Sequence, residues 1–145
     1  MIKDVDVDRY INAVSISCDH KTRHQTYMRL ICSCLPALST LLPDIALNAC
    51  RVAEEYWING AGGAQKLDAT REQCWNYLDQ NHSSTSLTSP TVVGIRTVIC
   101  ALYPEAENED FDDETLRWFV MLLNKLGDYS QIVDPLLAEY SKGAA

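Results

Sequence analysis

The histidine and cysteine residues near the start of this sequence are the first that could bind a metal ion. His20 and His24 are four residues apart and would share one face of a helix, with Cys18 close to them. A zinc ion would need a further ligand from a distant part of the chain, and the spacing matches no common zinc motif. We therefore interpret both histidines as polar residues on a basic helix, and we predict no metal site.

The candidate nucleophiles in the sequence do not belong to any recognised catalytic motif. His82 lies in a serine-rich stretch, but such stretches are usually solvated loops, and no Gly-x-Ser-x-Gly motif is present. Cys32 and Cys34 are two residues apart, which places them on different faces of a helix, and there is no Cys-x-x-Cys motif. Residues 59–64 are glycine-rich but lack the Gly-Lys-Ser/Thr ending of a phosphate-binding loop. We predict no catalytic residue, no cofactor and no enzymatic activity.

The clearest feature of the sequence is the distribution of its carboxylates. The net charge of the chain is −8, with +1 carried by residues 1–51 and −9 by residues 52–145. Seven of the ten positions in residues 105–114, which we call the acidic segment, carry carboxylates that repel one another. The seven residues are Glu105, Glu107, Glu109, Asp110, Asp112, Asp113 and Glu114.

Two interpretations of the acidic segment stay open. It is either a solvated loop or a surface that attracts a basic protein, and its seven carboxylates are our candidate partner-binding residues. Calcium is not expected, because the segment lacks the ligand spacing and the central glycine of an EF-hand loop. The overall negative charge repels nucleic acid and anionic lipid, so we predict neither nucleic acid nor a membrane as a partner.

The hydrophobic pattern that must position these residues is helical. Apolar residues recur at intervals of three and four along most of the chain, and 145 residues suit one domain. We predict a single all-α domain over residues 1–145, an irregular bundle of about six or seven helices with a frayed tail at 141–145. The predicted helices cover residues 7–18, 21–42, 45–57, 65–80, 90–102, 112–126 and 134–140.

Local signals define several of the helix ends. Pro36 should kink or split the second helix, because proline has no backbone N–H to donate. Asp44 and Asp112 are candidate N-caps, since a side-chain carboxylate can accept hydrogen bonds from the first turn. The stretch from Thr91 to Tyr103 is rich in β-branched residues, so a strand is an alternative to the helix there.

The tryptophans and cysteines fit the apolar faces of these helices. Trp57, Trp75 and Trp118 occupy positions compatible with inward-facing stripes, which predicts core packing, with an exposed interface anchor as the alternative. The sequence has six cysteines and no secretory signal, so we expect a cytoplasmic protein with reduced thiols. Its longest apolar stretch, residues 30–42, is too short to span a membrane.

One region of the sequence resembles a known family. Ala49–Trp57 is Ala-Cys-Arg-Val-Ala-Glu-Glu-Tyr-Trp, a glycine-rich turn follows, and Ala69–Asp79 is Ala-Thr-Arg-Glu-Gln-Cys-Trp-Asn-Tyr-Leu-Asp. This succession of an Ala-Cys-x-x-Ala-Glu helix, a turn and an Arg-x-x-x-Trp segment resembles small helical immunity proteins, which are encoded beside polymorphic toxins in bacteria. The resemblance covers Ala49 to Asp79, and the serine-rich and acidic segments depart from it.

The resemblance implies a non-enzymatic protein that binds a cognate toxin in the producing cell and blocks its active or substrate-binding surface. A basic toxin would be attracted by the acidic segment. We therefore expect that segment and the adjoining ends of the fifth and sixth predicted helices to contact the toxin. Three other functions stay open: an adaptor or structural domain for an endogenous protein, an enzyme of an unrecognised helical class, and a nucleic-acid mimic that blocks a DNA-binding protein.

Overall fold

The computed structural model describes residues 20–80, 89–105 and 111–144, and the regular elements in those ranges are all helices. This confirms the predicted all-α fold with about six helices. The first predicted helix, residues 7–18, lies outside the described residues. None of the described helices is both long and apolar enough to cross a membrane. The elements are α1 (His20–Cys34), a 3-10 helix (Leu35–Leu41), α2 (Asp44–Trp57), α3 (Ala64–Gln80), α4 (Pro90–Ile99), α5 (Phe111–Leu126) and α6 (Ser130–Ala144).

Proline and glycine end two of these helices as predicted. α1 ends at Cys34, and the chain continues as a 3-10 helix that has Pro36 in its first turn, where the missing N–H is tolerated. After α2, Gly60 and Gly62 adopt φ values of 69° and 80°. Side chains disfavour this left-handed conformation, so glycine lets the chain reverse sharply here. α2 and α3 then pack against each other.

The two predicted N-caps are wrong. The carbonyl of Pro43 accepts hydrogen bonds from the backbone N–H groups of Ala46 and Leu47, so Pro43 holds the N-cap position and Asp44 is the first helical residue. Asp112 likewise lies inside the first turn of α5, which begins at Phe111. The carboxylate of Asp44 still lies in the first turn of α2, where the positive end of the helix dipole favours it.

The last helix begins earlier than predicted. The carbonyl of Tyr129 accepts hydrogen bonds from two residues of the next turn, which starts α6 at Ser130 instead of Asp134. Pro135 therefore lies inside the helix, where it removes one backbone hydrogen bond without ending the element. The helix continues to Ala144, through residues that were expected to form a frayed tail.

α4 is the central helix of the bundle. It packs against α2, α3, α5 and the 3-10 helix, and every residue from Val92 to Leu102 is buried except Arg96, which is half-buried. A helix enclosed on all sides needs apolar residues all round, which explains the β-branched run and shows that the strand alternative was wrong. Gly94 allows Leu42, the residue that follows the 3-10 helix, to approach α4, because a Cβ at Gly94 would lie 2.9 Å from Cδ2 of Leu42.

Three side chains from three different helices hydrogen-bond the chain just after α4. The indole N–H of Trp57 donates to the carbonyl of Ala101 over 2.8 Å. Nη1 of Arg71 donates to the carbonyl of Leu102 over 2.6 Å. Nε2 of His24 lies 2.7 Å from the carbonyl of Tyr103, so this nitrogen carries the proton. We call these three donors and the carbonyls of residues 101–103 the carbonyl hub.

We predict that Trp57→Phe lowers the free energy of unfolding by at least about 2 kcal/mol, because it leaves a buried carbonyl without its donor and removes packed atoms. Trp57 is only 6% exposed. The same change at Trp118, which is 39% exposed, should cost about 0.5 kcal/mol or less. Urea unfolding followed by circular dichroism measures both. Equal effects of the two substitutions would show that the carbonyl hub does not stabilise the fold.

Candidate functional site

A cleft of about 280 Å³ lies where α3, α4 and α5 meet. Trp75 of α3 forms one side, and Trp118 of α5 contributes to the lining as well. The ring of Tyr103 is placed by the carbonyl hub, since Arg71 bonds the preceding carbonyl and stacks over this ring at 4.6 Å. The lining is completed by Arg96, Ile99, Cys100, Glu114 and Thr115.

Arg96 is the central charged group of the cleft. The carbon of its guanidinium lies 5.6 Å from the ring centre of Trp75 and 5.2 Å from that of Trp118, so both rings make cation–π contacts with it. Its Nε atom is shielded from solvent and has no hydrogen-bond partner among the described residues. Arg96 forms no ion pair within that part of the chain either. The cation is thus held by aromatic rings, and no carboxylate of the described residues is paired with it, although Glu114 lines the same cleft.

The hydrophobic pattern predicted a buried position for Trp118, and this prediction is wrong. The prediction of core packing holds for Trp57, but Trp75 is half-buried and Trp118 is 39% exposed. In α5 the buried face is defined by Leu116, Phe119 and other apolar residues. At about 100° per residue, Trp118 lies about 120° from the centre of that face, so a helical projection of the sequence could have revealed it as exposed.

The acidic segment borders the cleft at its second described end. Glu105 is exposed and follows Tyr103 by two residues, while Glu114 is exposed and lines the cleft directly. Asp112 and Asp113 lie in the first turn of α5. Of the seven predicted carboxylates, the structure therefore brings Glu114 to the cleft. Three others, Glu107, Glu109 and Asp110, lie outside the described residues.

Of the two histidines considered as metal ligands, His24 has a structural role. His24 is buried, donates to the carbonyl of Tyr103 and meets the ring of Trp57 edge to face, with centroids 5.6 Å apart. The residues described by the structure contain no group of three or more histidine, cysteine or acidic side chains that could hold a metal ion.

The five described cysteines are free thiols with raised pKa values. Burial raises the pKa of Cys32, Cys34, Cys50 and Cys100 to about 12, and that of Cys74 to about 11. A nucleophilic cysteine needs the opposite shift, because only the thiolate attacks. Cys100 lines the cleft, yet burial outweighs the lowering effect of Arg96 on its pKa. These thiols behave as small apolar side chains.

No family model, curated protein or solved structure matches this chain. The resemblance of Ala49–Asp79 to immunity proteins therefore stays a prediction. The structure does relate that stretch to the site, since it comprises most of α2 and α3 and contains Trp57 and Arg71 of the carbonyl hub and Trp75 of the cleft.

We predict that the five described thiols of a Cys18→Ser variant react with iodoacetamide at pH 8 at least about 100 times more slowly in the folded protein than in guanidinium chloride, because a raised pKa removes the thiolate. Mass spectrometry of digested samples measures each rate. The raised pKa values also stabilise the fold below about pH 9, the ordinary thiol value, and this contribution is lost as the pH rises towards 12. One cysteine that reacts at the unfolded rate would contradict the prediction for that site.

Proposed function

We propose that this chain is an immunity protein that binds a cognate protein toxin and blocks its active or substrate-binding surface. The observation that carries the proposal is Trp118, a large aromatic side chain that is 39% exposed and stacks on Arg96 at the cleft. Tryptophan and arginine are the residues most enriched among those that dominate binding energy at protein interfaces. Because Trp118 and Arg96 lie beside a carboxylate, the surface suits a partner whose binding face has an apolar patch surrounded by basic residues.

The two parts of this surface would contribute differently to binding. Carboxylates around an interface attract a basic partner over several ångströms and mainly raise the association rate. An aromatic anchor that becomes buried mainly slows dissociation, because its contacts must be broken before the complex separates. The proposed surface has both, since the carboxylate of Glu114 and the ring of Trp118 line the same cleft and both come from α5.

The resemblance to immunity proteins adds independent support. The residues that carry it, in α2 and α3, supply two of the three donors of the carbonyl hub and one aromatic wall of the cleft. A shared sequence pattern in this stretch would therefore preserve the cleft as well as the helix pair. An adaptor domain would use the same surface for an endogenous protein that is not toxic, and the experiment below distinguishes the two functions.

The test begins with capture of the partner by the tagged full-length chain from its native cells, at low and moderate salt, with mass spectrometry of what is retained. The gene of a captured protein is then expressed alone and together with this chain. We expect growth arrest in the first case and restored growth in the second. A captured protein that is harmless on its own would favour the adaptor and contradict the immunity function.

With the captured partner, we predict that neutralising four carboxylates lowers the association rate constant at least about tenfold at low salt and flattens its dependence on ionic strength. The changes are Glu105→Gln, Glu107→Gln, Glu109→Gln and Asp110→Asn. The control variant changes net charge equally at exposed or half-exposed positions on other faces, with Asp44→Asn, Glu54→Gln, Glu55→Gln and Glu139→Gln. Equal rates for the two variants would show that only net charge matters and that the acidic segment does not guide association.

Trp118→Ala should instead raise the dissociation rate constant by about thirtyfold or more, because truncation of a central aromatic anchor typically costs about 2 kcal/mol or more. Ile132→Ala is the matched control, since Ile132 is a large apolar residue of α6 with 42% of its side chain exposed. Surface plasmon resonance measures both constants. A dissociation rate that is the same for the two variants would remove Trp118 from the interface.

A further inference from the structure

The buried Nε of Arg96, which has no hydrogen-bond partner among the described residues, needs a physical explanation. An N–H donor of a charged group that is shielded from water without an acceptor costs free energy, and native structures contain few such groups. The contacts with Trp75 and Trp118 compensate for part of this cost, but they do not supply an acceptor for Nε. The in-plane N–H donors of the guanidinium therefore keep their capacity to bind an anion.

The other groups around Arg96 define what kind of anion fits. The walls are mainly aromatic and aliphatic, with Trp75, Tyr103 and Ile99 beside Trp118, and they enclose about 280 Å³. This volume suits a single ring or a branched chain together with a small polar group, since drug-sized ligands need roughly 300–1,000 Å³. A planar carboxylate matches the fork of donors that a guanidinium presents.

We propose that the cleft binds a carboxylate that is carried on an apolar or aromatic group, with the guanidinium of Arg96 as its hydrogen-bond donor. The carboxylate supplies an anion for Arg96, which no described carboxylate provides, and the apolar group covers the rings of Trp75 and Trp118. This site does not require the proposed immunity function, because it is a property of the chain alone.

Glu114 makes the cleft selective among anions. Its exposed carboxylate lines the same cleft as Arg96, so a second negative charge on the ligand would be repelled. The long-range repulsion from the net charge of −8 is weakened by salt, because charges are screened over roughly 8 Å at physiological ionic strength. Binding then depends on the charges within the cleft, where Arg96 attracts an anion and Glu114 repels any additional negative charge. A singly charged carboxylate is therefore favoured over inorganic phosphate.

The test uses the three indole N–H signals of the full-length chain in a nitrogen–proton correlation spectrum, assigned with single Trp→Phe variants. The probe is 3-phenylpropionate, and its neutral amide, 3-phenylpropionamide, is the matched control. We expect the acid to shift the signals of Trp75 and Trp118 and to bind at least about tenfold more tightly than the amide, because hydrogen bonds to charged groups are the strong ones. Trp57 is the internal control, since its N–H is bonded to Ala101 inside the core.

Variants then test the role of Arg96. Arg96→Met removes the charge while keeping the aliphatic length, and it should abolish the preference for the acid over the amide. Arg51→Met, at an exposed arginine of α2, should leave that preference unchanged. An unchanged indole signal of Trp57 in the Arg96→Met spectrum confirms that the fold is intact. If that variant does not fold, the relative affinities of the unmodified chain for the acid and the amide still test the proposal.

Three results would overturn the proposal: equal binding of acid and amide, a shift of Trp57 as large as those of the other two indoles, or binding of inorganic phosphate as tight as that of the acid. None of these results affects capture of a protein partner, so failure here is distinct from failure of the immunity function.

The source of the carboxylate follows from a second probe, the peptide acetyl-Phe-Glu-Phe-amide. Tighter binding of the peptide assigns the site to an acidic side chain of a protein, and tighter binding of 3-phenylpropionate assigns it to a free organic acid.

Discussion

The chain that follows α4 must find hydrogen-bond donors for its carbonyl groups inside the protein, and this requirement organises the molecule. The last carbonyls of α4 itself accept bonds from the backbone N–H groups of residues 100–102, whereas the carbonyls of residues 101–103 are each met by a side chain from α1, α2 or α3. Each of those helices is thereby tied to the same short segment. Donors at the carboxyl end of a helix also complement the negative end of its dipole, so hydrogen bonding and electrostatics favour the same arrangement.

The carbonyl hub also determines the position of the cleft. Arg71 bonds the carbonyl of Leu102 and stacks on the ring of Tyr103, which brings that ring to the edge of the cleft. The first turns of α5 bring the carboxylate of Glu114 and the ring of Trp118 to the same cleft. A surface in this position can combine electrostatic attraction with a buried anchor, and these are the two properties that a tight protein inhibitor requires.

Most helices could be predicted from the sequence, because their periodic apolar residues and breakers act locally. Pro36 split α1 from the 3-10 helix, and the glycines after α2 reversed the chain, since both effects depend on one residue's own backbone. The start of α6 could not be placed, because Pro135 is compatible with a helix that begins either before or at it. The strand alternative for α4 was excluded only by its enclosure, which is a property of the neighbouring helices.

The sequence by itself determined the helical class of the described chain and the crowding of carboxylates in residues 105–114, because periodicity and charge are local properties. The tertiary structure decided which groups meet. The donor pairs of the carbonyl hub are separated by 31, 44 and 79 residues along the chain, and no local pattern encodes such a distance. The position of Arg96 between two tryptophans likewise depends on how α3, α4 and α5 pack, because each of these side chains comes from a different helix.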